Sequence, residues 1–152
     1  MWQVENDPFC QRILKQHWRD VPRHDDIRTL EPALFPWVRM ITAGFPCQDF
    51  SYAGKRRGLA GAQSGLFGEV VRVVGIVKPE WLILENVPGL LTSRGGEDFA
   101  EIIAVLEQLG FGVAWGVLDA RWFGIPQARR RLFIVGRAGR IWSPEVLAPP
   151  PR

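Results

Sequence analysis

The chain reads as an α/β protein, and three observations predict it. Short apolar runs with strand character alternate with amphipathic helical stretches, the runs stop at glycine or polar residues, and Trp81-Leu82-Ile83-Leu84 is apolar throughout. Strands alternating with helices argue for a mostly parallel sheet, and an uninterrupted apolar run is what a central strand covered on both faces requires. The 152 residues, 47% hydrophobic and 23% charged, suffice for one globular domain with a core of its own.

In chain order, Trp2-Gln3-Val4 predicts a very short strand, and Glu5-Asn6-Asp7 a turn. Asp7-Pro8 then offers an N-cap and a proline at the first helical position, opening a helix to about Trp18 with Phe9, Ile13 and Leu14 on one face. Cys10 reads as packing within that helix. Arg23 to Leu30 predicts a short strand containing Asp26-Ile27, and Val38 to Ala43 the next strand. From Asp49 to Gly65 periodicity is lost, and Gly54, Gly58, Gly61 and Gly65 punctuate a segment too long for an ordinary connection.

A helix follows over Leu66 to Val77, with Leu66, Val70, Val73, Val74 and Val77 inward, and Lys78-Pro79 stops it. The strand Trp81 to Leu84 terminates in Glu85-Asn86. Phe99, Ile102, Ile103, Leu106 and Leu109 mark a helix from about Asp98 to Leu109, with Gly110 just past its end. Val113 to Leu118 and Leu132 to Val135 are two further strands, separated by Gly124-Ile125-Pro126 and Gln127-Ala128-Arg129-Arg130-Arg131. The chain therefore divides into a domain over 1–136 and a proline-containing tail over 137–152.

Two cysteines, Cys10 and Cys47, are too few for a disulfide framework and point to a reducing, cytoplasmic setting. No apolar stretch approaches the roughly eighteen residues of a membrane span. The net charge of +3 allows a polyanionic partner, with Lys55-Arg56-Arg57 and Arg129-Arg130-Arg131 as its two densest basic stretches.

Reactive groups in open α/β sheets collect beyond the carboxyl ends of the strands. Glu5, Cys47 and Glu85-Asn86 all stand at such ends, and Gln127 to Arg131 precede a strand able to return from the same rim. A thiol, a carboxylate, an amide and a guanidinium would then line one pocket. Separately, each has a bland alternative: a buried thiol, a surface carboxylate, a solvated charge run.

These residues resemble the DNA cytosine-5 methyltransferases of restriction-modification systems. Gly44-Phe45-Pro46-Cys47-Gln48 matches that family's catalytic loop, Glu85-Asn86-Val87 its Glu-Asn-Val motif, and Gln127-x-Arg129-x-Arg131 its Gln-x-Arg-x-Arg motif, in the same order. Weaker matches are Glu5, Asp26-Ile27 and Ser64-Gly65-Leu66-Phe67. The resemblance spans roughly Trp2 to Gly136 and implies a Rossmann-like sheet that uses S-adenosyl-L-methionine. It implies Cys47 as nucleophile toward carbon 6 of cytosine, Glu85 on ring nitrogen 3 and the exocyclic amine, and Arg131 on the carbonyl oxygen, with Asn86 and Arg129 ordering the site. It further implies Glu5 on the cofactor ribose, Asp26 and Ile27 at the adenine, and Pro46 and Leu66 in the cofactor wall. The substrate would be double-stranded DNA with the cytosine flipped out, contacted by Gln48, Lys55, Arg56 and Arg57, with 49–65 as the lid. No metal is implied.

Relatives carry a Phe-x-Gly-x-Gly segment at the end of a first strand, which lies between the second and the fourth. This sequence contains no counterpart, since Gly110-Phe111-Gly112 follows a helix. The expectation is a fold that is N-terminally truncated, with its sheet split, as in a truncated gene model, a degraded remnant or half of a split enzyme that needs a complementing polypeptide. Alternative functions are a non-catalytic nucleic-acid-binding remnant and a tRNA cytosine-5 methyltransferase. A cysteine hydrolase would have to find its base in His17 or His24, both far from the predicted strand ends.

Overall fold

The computed structural model describes residues 1–35, 37–46 and 65–139, and its strands form two separate sheets. The smaller pairs β1 (Gln3–Val4) in parallel with β2 (Arg23–His24), with helix α1 (Pro8–His17) between them. The larger has the order β3-β4-β6-β5, made of β3 (Met40–Gly44), β4 (Trp81–Asn86), β5 (Phe111–Asp119) and β6 (Arg130–Ala138). Helix α2 (Leu66–Val77) precedes β4 and helix α3 (Glu97–Gln108) precedes β5.

A mostly parallel sheet is observed only in part. β3 runs parallel to β4, but β6 is antiparallel to both β4 and β5. The reason is the connection: residues 120–129 hold one 3-10 turn and no crossover helix, so β6 must return in the opposite direction. The split expected of the sheet is seen among the described residues, where no strand pairing joins β1–β2 to β3–β4.

Alternation along the strands sets the core. Leu82 and Leu84 of β4 and Leu132 and Ile134 of β6 are buried on one face, where Phe67, Val70 and Val74 of α2 and Ile102 and Leu106 of α3 pack against them. The intervening Trp81, Ile83 and Glu85 are only half-buried. β4 is thus covered chiefly on one face, and its apolar second face carries instead a cation-π contact, with Arg137 4.8 Å above the Trp81 ring.

Local signals placed the helices well. Asp7 accepts hydrogen bonds from the Phe9 and Cys10 amides at 2.8 and 2.9 Å, with Pro8 in the first turn, and the helix ends at His17. Lys78, left-handed at φ 49°, closes α2 before Pro79, and Gly110 at φ 86° follows α3. Packing of α1 differs from expectation: none of its residues is buried, Phe9 is 61% exposed, and Cys10 is exposed instead of packed. Asp26-Ile27 also lies outside any strand; β2 ends at His24, and Asp26 caps a 3-10 turn over Ile27–Thr29.

Several strand boundaries move outward. Glu85 and Asn86 are the last residues of β4, and Arg130 and Arg131 the first of β6, where the sequence suggested flanking loops. β6 continues to Ala138, beyond the Gly136 boundary, and 140–152 lie outside the described residues. Among the described residues no helix is long and apolar enough to cross a membrane.

Candidate active site

Strand register brings three of the predicted groups to one rim. Gly44 pairs with Glu85 across β3 and β4, and Asn86 pairs with Leu132 across β4 and β6, so Arg131 stands one residue beyond the end of β4. Arg131 and Glu85 lie on the same face of the sheet, and Arg131 Nε meets Glu85 Oε1 at 2.7 Å. Arg131 also donates from Nη1 to the Arg130 carbonyl at 2.9 Å, which fixes the plane of its guanidinium. Both side chains stay open to a ligand, at 38% exposure for Glu85 and 26% for Arg131.

Gly44 makes room for this pair. A Cβ placed on it would lie 3.3 Å from Glu85 Oε2, tighter than an ordinary contact, so a side chain there would displace the carboxylate by a few tenths of an ångström. This contribution of Gly44 was not anticipated in the sequence, although its position before Phe45-Pro46 in a β-strand was the available sign.

Asn86 faces the opposite way and is buried. Its Nδ2 donates to the Phe45 carbonyl at 2.8 Å, and its Oδ1 accepts from the Val87 amide at 2.8 Å. The amide side chain therefore joins the end of β4 to the residue before Pro46. Cys47 and Gln48 follow directly; with Lys55, Arg56, Arg57 and the predicted lid they lie outside the described residues.

Among the described residues Arg129 makes no side-chain hydrogen bond or ion pair with Glu85 or Arg131. It is exposed, and its backbone carbonyl accepts from the Ala120 amide at 3.0 Å, closing the turn between β5 and β6. That turn is braced at its base by Asp119, whose buried carboxylate takes Arg121 Nη2 at 2.6 Å and the Arg121 amide at 3.0 Å. The hydrogen bonds from Arg121 hold the Asp119 carboxyl well below the usual range, at a pKa of about 2.

The predicted cofactor residues belong to the smaller sheet and its flank. Glu5 follows β1, and its Oε1 accepts from the Asp7 amide at 2.8 Å, leaving Oε2 without a partner among the described residues. Asp26 is committed locally: Arg28 Nε meets both of its oxygens at 3.0 Å, and hydrogen bonding from Arg28 lowers its pKa. Ile27 is half-buried against the core, and Leu66 opens α2 half-buried. Pro46 is exposed beside Phe45.

Cys10 offers no rival nucleophile. Desolvation first, then the Asp7 carboxylate, push its thiol above the ordinary value, so little thiolate forms at neutral pH.

A family model described as C-5 cytosine-specific DNA methylase matches residues 1–145. The chain belongs to this family. Among individual relatives, the Type II methyltransferase M.NgoBV of Neisseria gonorrhoeae is 40% identical over 139 residues, covering 87% of this chain and 33% of that protein. The Type II methyltransferase M.MspI of Moraxella sp is 42% identical over 132 residues, covering 86% and 31%. This methylase-family chain thus spans about a third of the length of the relatives it matches.

Solved structures agree on the fold. The Dnmt2 methyltransferase of S. pombe superposes with a TM-score of 0.71 at 25% identity, covering 92% of this chain and 43% of that one. A methyltransferase encoded within an E. coli prophage gives 0.74 at 20% identity, covering 98% and 44%. The fold is the Rossmann-like methyltransferase fold, and the family's methyl donor is S-adenosyl-L-methionine.

The residues present suit the adenosine end of that cofactor. Glu5, just past a strand end, has one oxygen without a partner among the described residues, chemistry that fits a ribose hydroxyl, and Ile27 and Leu66 are apolar and half-buried, which fits an adenine ring.

Proposed function

We propose that this chain supplies the nucleophile and the base-binding groups for methylation of carbon 5 of cytosine in DNA. The observation that carries the reading is the Glu85–Arg131 pair, held open at a rim that Asn86 joins to the segment leading into Cys47. Glu5, Asp26, Ile27, Pro46 and Leu66 would hold S-adenosyl-L-methionine, which when bound supplies an electrophilic methyl group.

The residue types suit the reaction. Carbon 5 of cytosine is a poor nucleophile, so the Cys47 thiolate adds to carbon 6, forming a C–S bond and moving electron density to carbon 5. Glu85 shares a proton with ring nitrogen 3 and accepts from the exocyclic amine, which favours that density. Arg131 donates to the carbonyl oxygen at position 2. Methyl transfer to carbon 5 would break the cofactor's methyl–sulfur bond and leave its thioether; a general base then takes the carbon 5 proton, and the electron pair expels the thiolate and restores the ring.

The Glu85–Arg131 contact adds a point of geometry. With Oε1 on the guanidinium, Glu85 Oε2 has no hydrogen-bond partner among the described residues and would face the amine, so the pair would distinguish cytosine from thymine, which carries a carbonyl there. The cytosine must leave the duplex stack to reach this rim, at a cost of a few kcal/mol. Gln48, Lys55, Arg56 and Arg57 would contact the DNA, with Arg129 ordering the site. A complementing polypeptide is the proposed source of the surface that reads sequence, and the setting is cytoplasmic.

The test is covalent trapping on duplex DNA containing 5-fluorocytosine, where fluorine blocks release of the adduct. With S-adenosyl-L-methionine and any complementing polypeptide, the wild type is expected to give a denaturation-resistant protein–DNA complex and Cys47→Ser none. Trapping by Cys47→Ser overturns the nucleophile assignment; no trapping by the wild type overturns the reading as a whole.

A further inference from the structure

The buried valine run of helix α2 is interrupted by one charge. In Val70-Val71-Arg72-Val73-Val74 the four valines are buried, and Arg72 sits among them with its side chain 33% exposed. A guanidinium in that setting is retained only if its donors are met. They are: Nη2 donates to the Ile27 carbonyl at 2.7 Å, Nη1 to the Leu30 carbonyl at 3.1 Å, and Nε to Glu69 Oε2 at 2.7 Å.

The two carbonyls are the ends of a single 3-10 turn. Its two closing bonds, from the Thr29 amide to the Asp26 carbonyl at 3.1 Å and from the Leu30 amide to the Ile27 carbonyl at 3.3 Å, are both local and shape the turn without joining it to the core. The planar fork of Arg72 spans it and ties it to a helix embedded in the core, while Glu69 orients the fork from one turn earlier. Asp26 and Ile27 open this turn, and Leu66 lies at the start of the same helix as Arg72.

We propose that Arg72 is a positioning residue for S-adenosyl-L-methionine, fixing the Asp26–Leu30 turn against α2 so that Asp26-Ile27 and Leu66 hold the adenosine between them. The inference rests on the assignment of those three residues to the cofactor. Arg72 touches no reacting atom. Its effect is on the affinity of the adenosine part and not on the Glu85–Arg131 rim, which lies on other elements.

The experiment is equilibrium binding of S-adenosyl-L-homocysteine to the 152-residue chain by calorimetry, with Arg72→Met, Arg72→Lys and Ile102→Val. Methionine keeps the apolar stem and removes the fork; lysine keeps the charge and one donor direction. Arg72→Met is expected to raise Kd about tenfold, with Arg72→Lys in between. Ile102→Val, which loosens the core away from the turn, is expected to leave Kd unchanged, separating positioning from general loss of stability. Wild-type binding with unchanged affinity in the Arg72 variants overturns the role of Arg72 while leaving the cofactor assignment standing. Should Arg72→Met not fold, unchanged affinity in Arg72→Lys does the same. No binding by the wild type overturns the cofactor assignment itself, and Arg72's role with it.

Discussion

Asn86 is the residue at which structure and chemistry meet most closely. Its side chain is buried and both of its polar atoms are used, Nδ2 across the gap to the end of β3 and Oδ1 on the adjacent Val87 amide. Asn86→Ala removes a donor to the Phe45 carbonyl and an acceptor from the Val87 amide, and is expected to cost about 1–3 kcal/mol in urea unfolding. Asn86→Asp is the sharper variant. At neutral pH it sets a carboxylate against the Phe45 carbonyl, acceptor against acceptor, whereas the protonated acid can donate in place of the amide. Its stability deficit relative to wild type is therefore expected to be larger at pH 7 than at pH 4. A deficit that is the same at both values would show that the Phe45 contact contributes little.

At the scale of elements, the turn between β5 and β6 gives a pH dependence with a definite sign. Asp119 has its pKa lowered to about 2, chiefly by hydrogen bonding from Arg121, against an ordinary value of 3.8. A depressed carboxyl contributes stability that is complete above the unfolded-state pKa and is lost as pH falls through the folded value. The difference in urea midpoint between wild type and Arg121→Gln is thus expected to be constant from pH 7 to 5 and to shrink between about 4 and 2. A difference that persists at pH 2 would mean Arg121 acts through packing alone. Much of this level was legible in the sequence. Helices α1, α2 and α3 were marked by caps, prolines and apolar period, and their limits moved by only a residue or so. Strand direction was not, because composition does not encode it; the antiparallel return of β6 is visible only in the absence of a helical period between Asp119 and Arg130. The Glu85–Arg131 pair was foreseen as a constellation, but the room left by Gly44 and the fork of Arg72 were not. Both depend on contacts between residues more than 40 positions apart, which periodicity cannot report.

For the whole molecule, the two sheets differ in how they are held. The four-stranded sheet has the buried core of Leu82, Leu84, Leu132 and Ile134 with α2 and α3 against it. The β1–β2 pair has two residues in each strand, and α1 buries none of its side chains, so the hydrophobic effect contributes far less there. Among the described residues, this part is tied to the core by Ile27 packed against it and by the two hydrogen bonds from Arg72. Parts with few buried apolar contacts open without unfolding the rest. Amides of α1 are therefore expected to exchange through local opening, with rates nearly insensitive to low urea because little new surface is exposed. Amides of β4 and β6 are expected to exchange through global unfolding, with the full urea dependence of the equilibrium transition. Hydrogen exchange followed by mass spectrometry over peptides from 8–17, 81–86 and 130–138 distinguishes the two. Equal urea dependence in all three would mean that the Arg72 and Ile27 contacts bind α1 and the small sheet into the cooperative unit of the core.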